Sequence, residues 1–283
     1  MAAVLGTNVA SLWASKNLQS AQTNMANSVE RLSSGLKINR ARDDAAGLGI
    51  SNALTQQINS AEMGIRNLND GISIVQTAEG ALAQASEMAQ RILALSIQGT
   101  SGTLSSSQKT SITTEMTSLL AGIDNIQSRT KFGSTTTSLL SGTAVVVYSS
   151  NVSTDSLTIS TTGLAAISTG STAGTALTGS VSNAGTTQTA AYFQSITTAA
   201  SAYITTLDTQ RGNLGATQNQ MEYSVNNITE LSANLTSARS RIVDTDYATE
   251  TAKLTKGQIL QQAATAMLAQ ANQMPNVILS LLK

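Results

Sequence analysis

The sequence predicts a mainly α protein: an elongated antiparallel helical bundle or coiled coil with long helices, a terminal helix pair and a small β-hairpin/loop insertion. Three observations carry this. Apolar residues recur at four–three spacing over dozens of positions in two separate arms. The 283 residues hold one proline, Pro275, where ~5% is usual, so little interrupts a long helix. Between the arms, 26 of the 56 residues in 133–188 are Ser or Thr and Asp155 is the only charge, a composition too polar to continue the same helical core.

Taken in order, the first element is an amphipathic stripe of Leu18, Ala21, Met25, Val29, Leu32 and Leu36. The first arm then steps through Leu54, Ile58, Ala61, Ile65, Leu68, Ile72, Val75, Glu79, Leu82, Ser86, Ala89 and Leu93. A shorter helix repeats the pattern at Ile112, Met116, Leu119, Ile123 and Ile126. The second arm places Phe193, Ala200, Leu207, Leu214, Met221, Ile228, Leu235 and Ile242 at every seventh position, beside a companion column from Ile196 to Ala238. Helices over 44–98 and 190–242 would each span roughly 80 Å at ~1.5 Å per residue. A compact globule of this mass does not hold helices that long, so an extended rod is expected.

The insert reads differently. Ala144–Tyr148 and Leu157–Ser160 have the β-branched content of two short strands joined by turn residues. Beyond Gly163 the Ser/Thr/Gly content predicts an irregular, exposed lobe or disorder. The last stripe, Leu260, Ala264, Met267, Ala271, Met274, Ile278 and Leu281, keeps strict four–three spacing to the end. Three regions follow: 1–42 with 243–283 as a terminal helical domain, 43–132 with 189–242 as a helical bundle, and 133–188 as a variable surface insertion.

Composition excludes most chemistry. Histidine and cysteine are both absent, which removes imidazole catalysis, thiol nucleophiles, disulfides and the usual zinc sites. No cofactor or metal is expected, and an enzyme is not. Lys+Arg and Asp+Glu number 16 each and aromatics are 3%, so neither a charge field nor a stacking platform suits nucleic acid. The charge-free stretch Gly257–Leu282 has the length of a membrane span but carries five Gln, two Asn and the proline, a composition that bilayer insertion penalises. Met1–Ser15 lacks the basic start and long apolar run of a secretory signal. Gly47-x-Gly49 follows no strand and reads as close packing or a turn rather than a nucleotide loop. Asp43/Asp44 and Asp244/Asp246 lie beside basic residues, which favours ion pairing over metal binding.

A single two-helix hairpin cannot cover both terminal stripes, and the economical solution is burial against copies of the same chain. The stripe residues Leu18, Met25, Val29, Leu32, Leu260, Ala264, Met267, Ala271, Met274, Ile278 and Leu281 are therefore assembly candidates. Charges gather at the connectors: Arg31, Arg40, Arg42, Asp43 and Asp44 stand opposite Arg239, Arg241, Asp244 and Asp246. Such mixed-sign clusters suit directional contacts between subunits.

Four segments, LSSGLKINRARDDAAGLGIS (32–51), NLNDGISIVQTAEGAL (67–82), NLGATQNQMEYSVNNI (213–228) and QILQQAATAMLAQANQ (258–273), closely resemble bacterial flagellin. The resemblance covers both arms, about four fifths of the chain. It departs at Phe132-Gly133, where the family has Phe-Asn-Gly, and at Ala264, often glycine.

The resemblance implies a structural protein that polymerises into the hollow helical filament of the bacterial flagellum and serves motility, secreted through the flagellum's own channel to the cell exterior. Partners so implied are further copies of the chain, the flagellar cap, junction proteins and an export chaperone, with a hook–filament junction protein as the alternative role. A zinc protease of the kind carried by some flagellins needs histidines that this chain lacks. The resemblance also implies incidental binding of the monomer to the vertebrate Toll-like flagellin receptor through Gln90, Arg91, Leu95, Gln98, Ile112 and Glu115, with Arg91 and Leu95 expected on one helix face. The hydroxyl-rich insert suggests O-glycosylation, with Ser134, Thr135, Ser149, Ser150, Ser153 and Thr154 as candidates.

Overall fold

The structure, a computed structural model, describes residues 8–132, 139–140, 144–149, 155–159, 172–182 and 188–281. Among the described residues, six helices and one hairpin run in the order α1 (Val9–Ser34), α2 (Ala45–Gly99), α3 (Ser106–Arg129), β1 (Val145–Tyr148), β2 (Ser156–Ile159), α4 (Thr172–Ser182), α5 (Ala190–Val243) and α6 (Tyr247–Leu281). The expected long helices over 44–98 and 190–242 are α2 and α5, the first displaced by one residue and the second one residue longer. The chain divides into two compact units, one of Met1–Ile58 with Ala233–Lys283 and one of Asn59–Ser232. The division falls inside α2 and α5 rather than at the connectors, and each helix contributes residues to both units.

Sequence explains the helix ends. Asn8 caps α1 by accepting from the Ser11 N–H at 3.1 Å. Gly35 closes α1 in the left-handed region at φ 73°, its N–H reaching the Arg31 carbonyl, a conformation in which glycine carries no steric penalty. Ser105 and Gln108 form a reciprocal capping box at the start of α3.

The core of the central unit follows the heptad columns. On α2, Ala61, Leu68, Val75, Leu82 and Ala89 are buried, and on α5 Phe193, Ile196, Ala200, Tyr203, Leu207, Leu214, Met221 and Ile228 face the same cluster. Ile112, Met116 and Ile123 complete it from α3. Ala78, Ala85, Ile92 and Leu95 add a second buried stripe on α2, because this half of the helix contributes to the core on two sides. Glu79, the polar break in the α2 column, pairs with Arg211 of α5 at 3.6 Å. The companion column of α5 fades after Tyr203: Leu231 is exposed. In the other unit, Leu235 is only half-buried.

The expected strands form an antiparallel hairpin with Val145 opposite Ile159 and Tyr148 opposite Ser156. Val147 and Ile159 point into the core while Val146 and Tyr148 face outward. The hairpin seats on α2 where the side chain is smallest: a β-carbon at Gly64 would collide with the Ser149 carbonyl, and Asn67 Nδ2 donates to the Tyr148 carbonyl at 3.0 Å.

One expectation fails here. The stretch beyond Gly163 is not wholly irregular, since Thr172–Ser182 forms α4, with Leu177 and Val181 fully buried in the shared core. These two apolar residues are four apart, one helical turn, and the Tyr192 hydroxyl donates to the Val181 carbonyl at 2.8 Å. The insertion thus contributes to the bundle core instead of standing apart from it.

Many Ser and Thr side chains are spent within their own helices. The hydroxyls of Thr55, Ser73, Thr77, Thr114, Thr205, Thr209, Thr217, Ser224 and Thr229 each donate to the carbonyl four residues earlier.

Two substitutions test this core. Leu207→Ala removes a fully buried side chain and is expected to cost about 2–5 kcal/mol in denaturant melts, with Leu235→Ala costing clearly less. The Tyr203 hydroxyl is buried with no partner among the described residues, and burial, followed by the Asp124 carboxylate, raises its pKa. Tyr203→Phe should leave stability unchanged or raise it; a loss above ~1 kcal/mol on that scale would contradict the assignment.

Candidate assembly surface

The terminal unit is built on the pairing of α1 with α6, whose backbones run close together along the seam. Such an approach needs small side chains. Ala21 and Ser28 of α1 meet Glu250, Gly257, Ala264 and Ala271 of α6, all buried. Leu18, Met25 and Leu32 are half-buried along the edge of this seam. Near the N-terminal end of α1, Asn8 Nδ2 donates to the Ala271 carbonyl at 2.7 Å and the Ser11 hydroxyl to Asn272 Oδ1 at 3.0 Å.

This register splits both predicted stripes. Ala264 and Ala271 face α1, but Leu260 and Met267 are 48% and 60% exposed, and Val29 is 49% exposed. Four–three spacing is shared by two neighbouring columns of α6, and the partner helix takes the one with the smaller residues. Met274, Ile278 and Leu281 continue α6, and their side chains lie outside the described residues. What results is an open groove of about 690 Å³ lined chiefly by Trp13, Ala14, Asn17, Leu260, Ala264 and Met267. Trp13, the sole tryptophan, is 59% exposed there, with Lys16 Nζ 5.4 Å from its ring centre.

Below the groove the seam holds one buried carboxylate. Glu250 accepts from the Ser28 hydroxyl at 2.7 Å and from Lys253 Nζ at 3.0 Å, with Arg31 3.9 Å away. Burial pushes its pKa up, but the Ser28 hydrogen bond and the Lys253 and Arg31 charges outweigh that and hold it below the ordinary 4.5.

The connectors after α1 and between α5 and α6 pair through their backbones. Leu36 bridges Asp244, the Lys37 N–H donates to the Val243 carbonyl at 2.6 Å, and that of Thr245 to Gly35 at 3.0 Å. Most of the predicted connector charges make hydrogen bonds or ion pairs within the chain. Asp44 caps α2 through the Gly47 N–H at 2.9 Å. Asp246 caps α6 through Ala248, Thr249 and the Thr249 hydroxyl, and these bonds lower its pKa. Asp43 accepts from the Arg40 and Asn39 N–H groups, with Arg40 the main cause of its lowered pKa. Arg40 pairs with Glu30 at 2.8 Å, and Arg239 lies 3.5 Å from the Thr55 hydroxyl. Arg42 reaches Asp43 only at 3.7 Å and is largely exposed. The side chains of Arg241, Asp244 and Lys256 make no hydrogen bond or ion pair among the described residues. Gly47 packs closely against Asp44 and Ile38, whereas a β-carbon at Gly49 would meet open space, so the close packing expected of the pair holds for Gly47 only.

In the central unit, Arg91 of α2 binds Glu115 of α3 through Nη2 at 2.7 Å and Nε at 3.0 Å. Gln90 and Gln98 are exposed beside them. Leu95 and Ile112 are core residues at 2% and 8% exposure, so these two members of the expected receptor-contact set are not on the surface beside Arg91. Four residues turn a helix by more than a full circle, and here that offset carries Leu95 into the core beneath α3. Of the O-glycosylation candidates, Ser149 is buried and its hydroxyl donates to the Asp155 carbonyl at 2.8 Å. Ser134, Thr135, Ser150, Ser153 and Thr154 lie outside the described residues.

Long helices that leave large apolar side chains outward on a terminal pair, with carboxylates engaged as caps and ion pairs, are the architecture of a structural, self-associating protein. Comparison with known proteins places the chain within that class. The bacterial flagellin N-terminal helical region matches residues 5–145 and the C-terminal helical region residues 197–282. The chain is 34% identical to Flagellin B of Vibrio anguillarum over the whole of both chains, and 37% identical to Flagellin of Bacillus subtilis over 98% of each. It is also 34% identical to the flagellar filament 33 kDa core protein of Treponema phagedenis, covering 99% of this chain and all of that one. The chain belongs to the bacterial flagellin family, and it is a structural subunit of the flagellar filament. Among the described residues no helix is long and apolar enough to cross a membrane.

The Glu250 pocket gives the terminal unit a pH signature. Because the folded-state pKa lies below the ordinary value of 4.5, its stabilisation is present above that pH and is lost as pH falls through the folded value. Thermal melts of the unassembled chain from pH 7 downward should show this acid-side decline. In Glu250→Gln the chain should start less stable and its melting temperature should depend less on pH over that window.

Proposed function

We propose that copies of this chain meet in the filament through the outward face of the α1–α6 pair, and that this face works outside the cell, where the filament is built. The observation that carries the reading is the displacement of Trp13, Leu260 and Met267 away from the small-residue seam and into one open groove. Leu12 and Ile259, 68% and 60% exposed on the same two helices, add to an apolar surface that a lone soluble chain gains nothing by showing. Covering it with further copies uses the self-assembly that defines the family. The cap, junction proteins and export chaperone are partners of the same terminal helices before or during growth.

Electron microscopy of the purified chain with filament seeds tests this. The unaltered chain should elongate seeds into long tubes. Leu260→Asp, a substitution at an exposed site, should keep the helical content of the monomer and fail to elongate. Normal tubes from Leu260→Asp would overturn the assignment of this face.

A second surface concerns the free monomer. The Arg91–Glu115 ion pair across α2 and α3, with exposed Gln90 and Gln98 on the same helix as Arg91, is the reduced receptor-contact patch we infer. Arg91→Ala should weaken binding of monomer to the flagellin receptor, on the order of tenfold if one charge-assisted contact is lost. Unchanged affinity in titration would remove Arg91 from that role.

A further inference from the structure

We propose that Met267 is a reversible oxidation site, at which a two-electron oxidant of the peroxide class converts the thioether to a sulfoxide and disables the terminal helix face for assembly. The inference rests on the proposal above that this face is where copies meet.

The methionines are sorted by their surroundings. Met116 and Met221 are fully buried in the central core, Met25 and Met88 are half-buried, and Met63 and Met267 are 49% and 60% exposed. Thioether oxidation needs access of the oxidant to sulfur, so Met63 and Met267 react first among these. Their positions give the reactions different consequences. Met63 stands on α2 in the central unit, whereas Met267 lines the groove of the terminal pair beside Trp13, Leu260 and Ala264.

The chemistry needs nothing from the protein beyond exposure. A sulfur lone pair attacks one peroxide oxygen, the O–O bond breaks, and the departing oxygen leaves as water after taking up a proton. Sulfur is oxidised by two electrons and the peroxide is reduced by two. The product replaces a flexible apolar group by a strongly polar, chiral one. Before copies meet, water solvates the sulfoxide oxygen. A neighbour that covers the groove must strip that water, so oxidation penalises association while leaving the seam of Ala21, Gly257, Ala264 and Ala271 untouched. With no cysteine in the chain, thiols do not compete for the oxidant.

The test uses the full unassembled chain treated with hydrogen peroxide, followed by peptide mass mapping and seeded elongation. Met267 should gain oxygen well before Met116 and Met221, and elongation should fall about tenfold, equivalent to about 1.4 kcal/mol. Helical content should not change. Methionine sulfoxide reductase with a thiol reductant should restore growth. Met267→Leu should elongate before and after peroxide alike, and Met63→Leu should remain sensitive. Full elongation by a chain mapped as oxidised at Met267, or equal loss in Met267→Leu, overturns the proposal. The two readings separate through Leu260→Asp: if that variant is blocked while the Met267 sulfoxide is not, only the oxidation site fails. If Leu260→Asp elongates normally, the assembly face itself is wrong.

Discussion

The close approach of α1 and α6 is the constraint on which the terminal unit depends. Helices that come this near must put Ala, Ser and Gly between them, and Ala21, Ser28, Gly257, Ala264 and Ala271 meet that demand. Among the described side chains, the large apolar residues of the pair are then displaced to an edge or outward. The central unit solves the opposite problem. There α2, α3 and α5 stand further apart, held at the spacing of Phe193, Leu207, Met116 and Leu82, and the large residues point inward. One chain therefore contains a bundle satisfied by its own side chains and a helix pair that is not.

Both units came from the same kind of sequence pattern, which explains what could and could not be read from it. In α2 and α5 the heptad columns name the buried residues almost one for one, because large apolar residues and the facing helix choose the same side. On α6 the column Leu260, Ala264, Met267, Ala271 is the more hydrophobic, yet the partner takes Gly257, Ala264, Ala271 instead. Hydrophobicity alone ranks the wrong column first when packing distance, not transfer from water, decides the register. Ala264 is itself instructive: the family's frequent glycine and this alanine are both small enough for the seam.

The remaining misses have equally local causes. α4 was hidden because Leu177 and Val181 are the apolar pair of a helix otherwise made of residues that favour turns, and its formation depends on the core that receives it. Among the connector charges, Asp43, Asp44 and Asp246 cap chain turns or helix starts, a local use that sequence order does not separate from intermolecular pairing. Leu95 lies four residues from exposed Arg91, and that spacing alone does not say which of the two the core covers. The strands, by contrast, were legible from β-branched content alone, and only their seating against Gly64 required coordinates.

The hydroxyls that bond back to their own helices give the exterior an unusual chemical indifference. The hydroxyls of Thr205, Thr209, Thr217, Ser224 and Thr229 already donate hydrogen bonds to backbone carbonyls, and the chain carries few charges to begin with. A neighbour laid against such a face displaces water without orphaning many donors and without meeting many groups that respond to acid or salt. An appendage built from it would keep its joints in fresh water and brine alike.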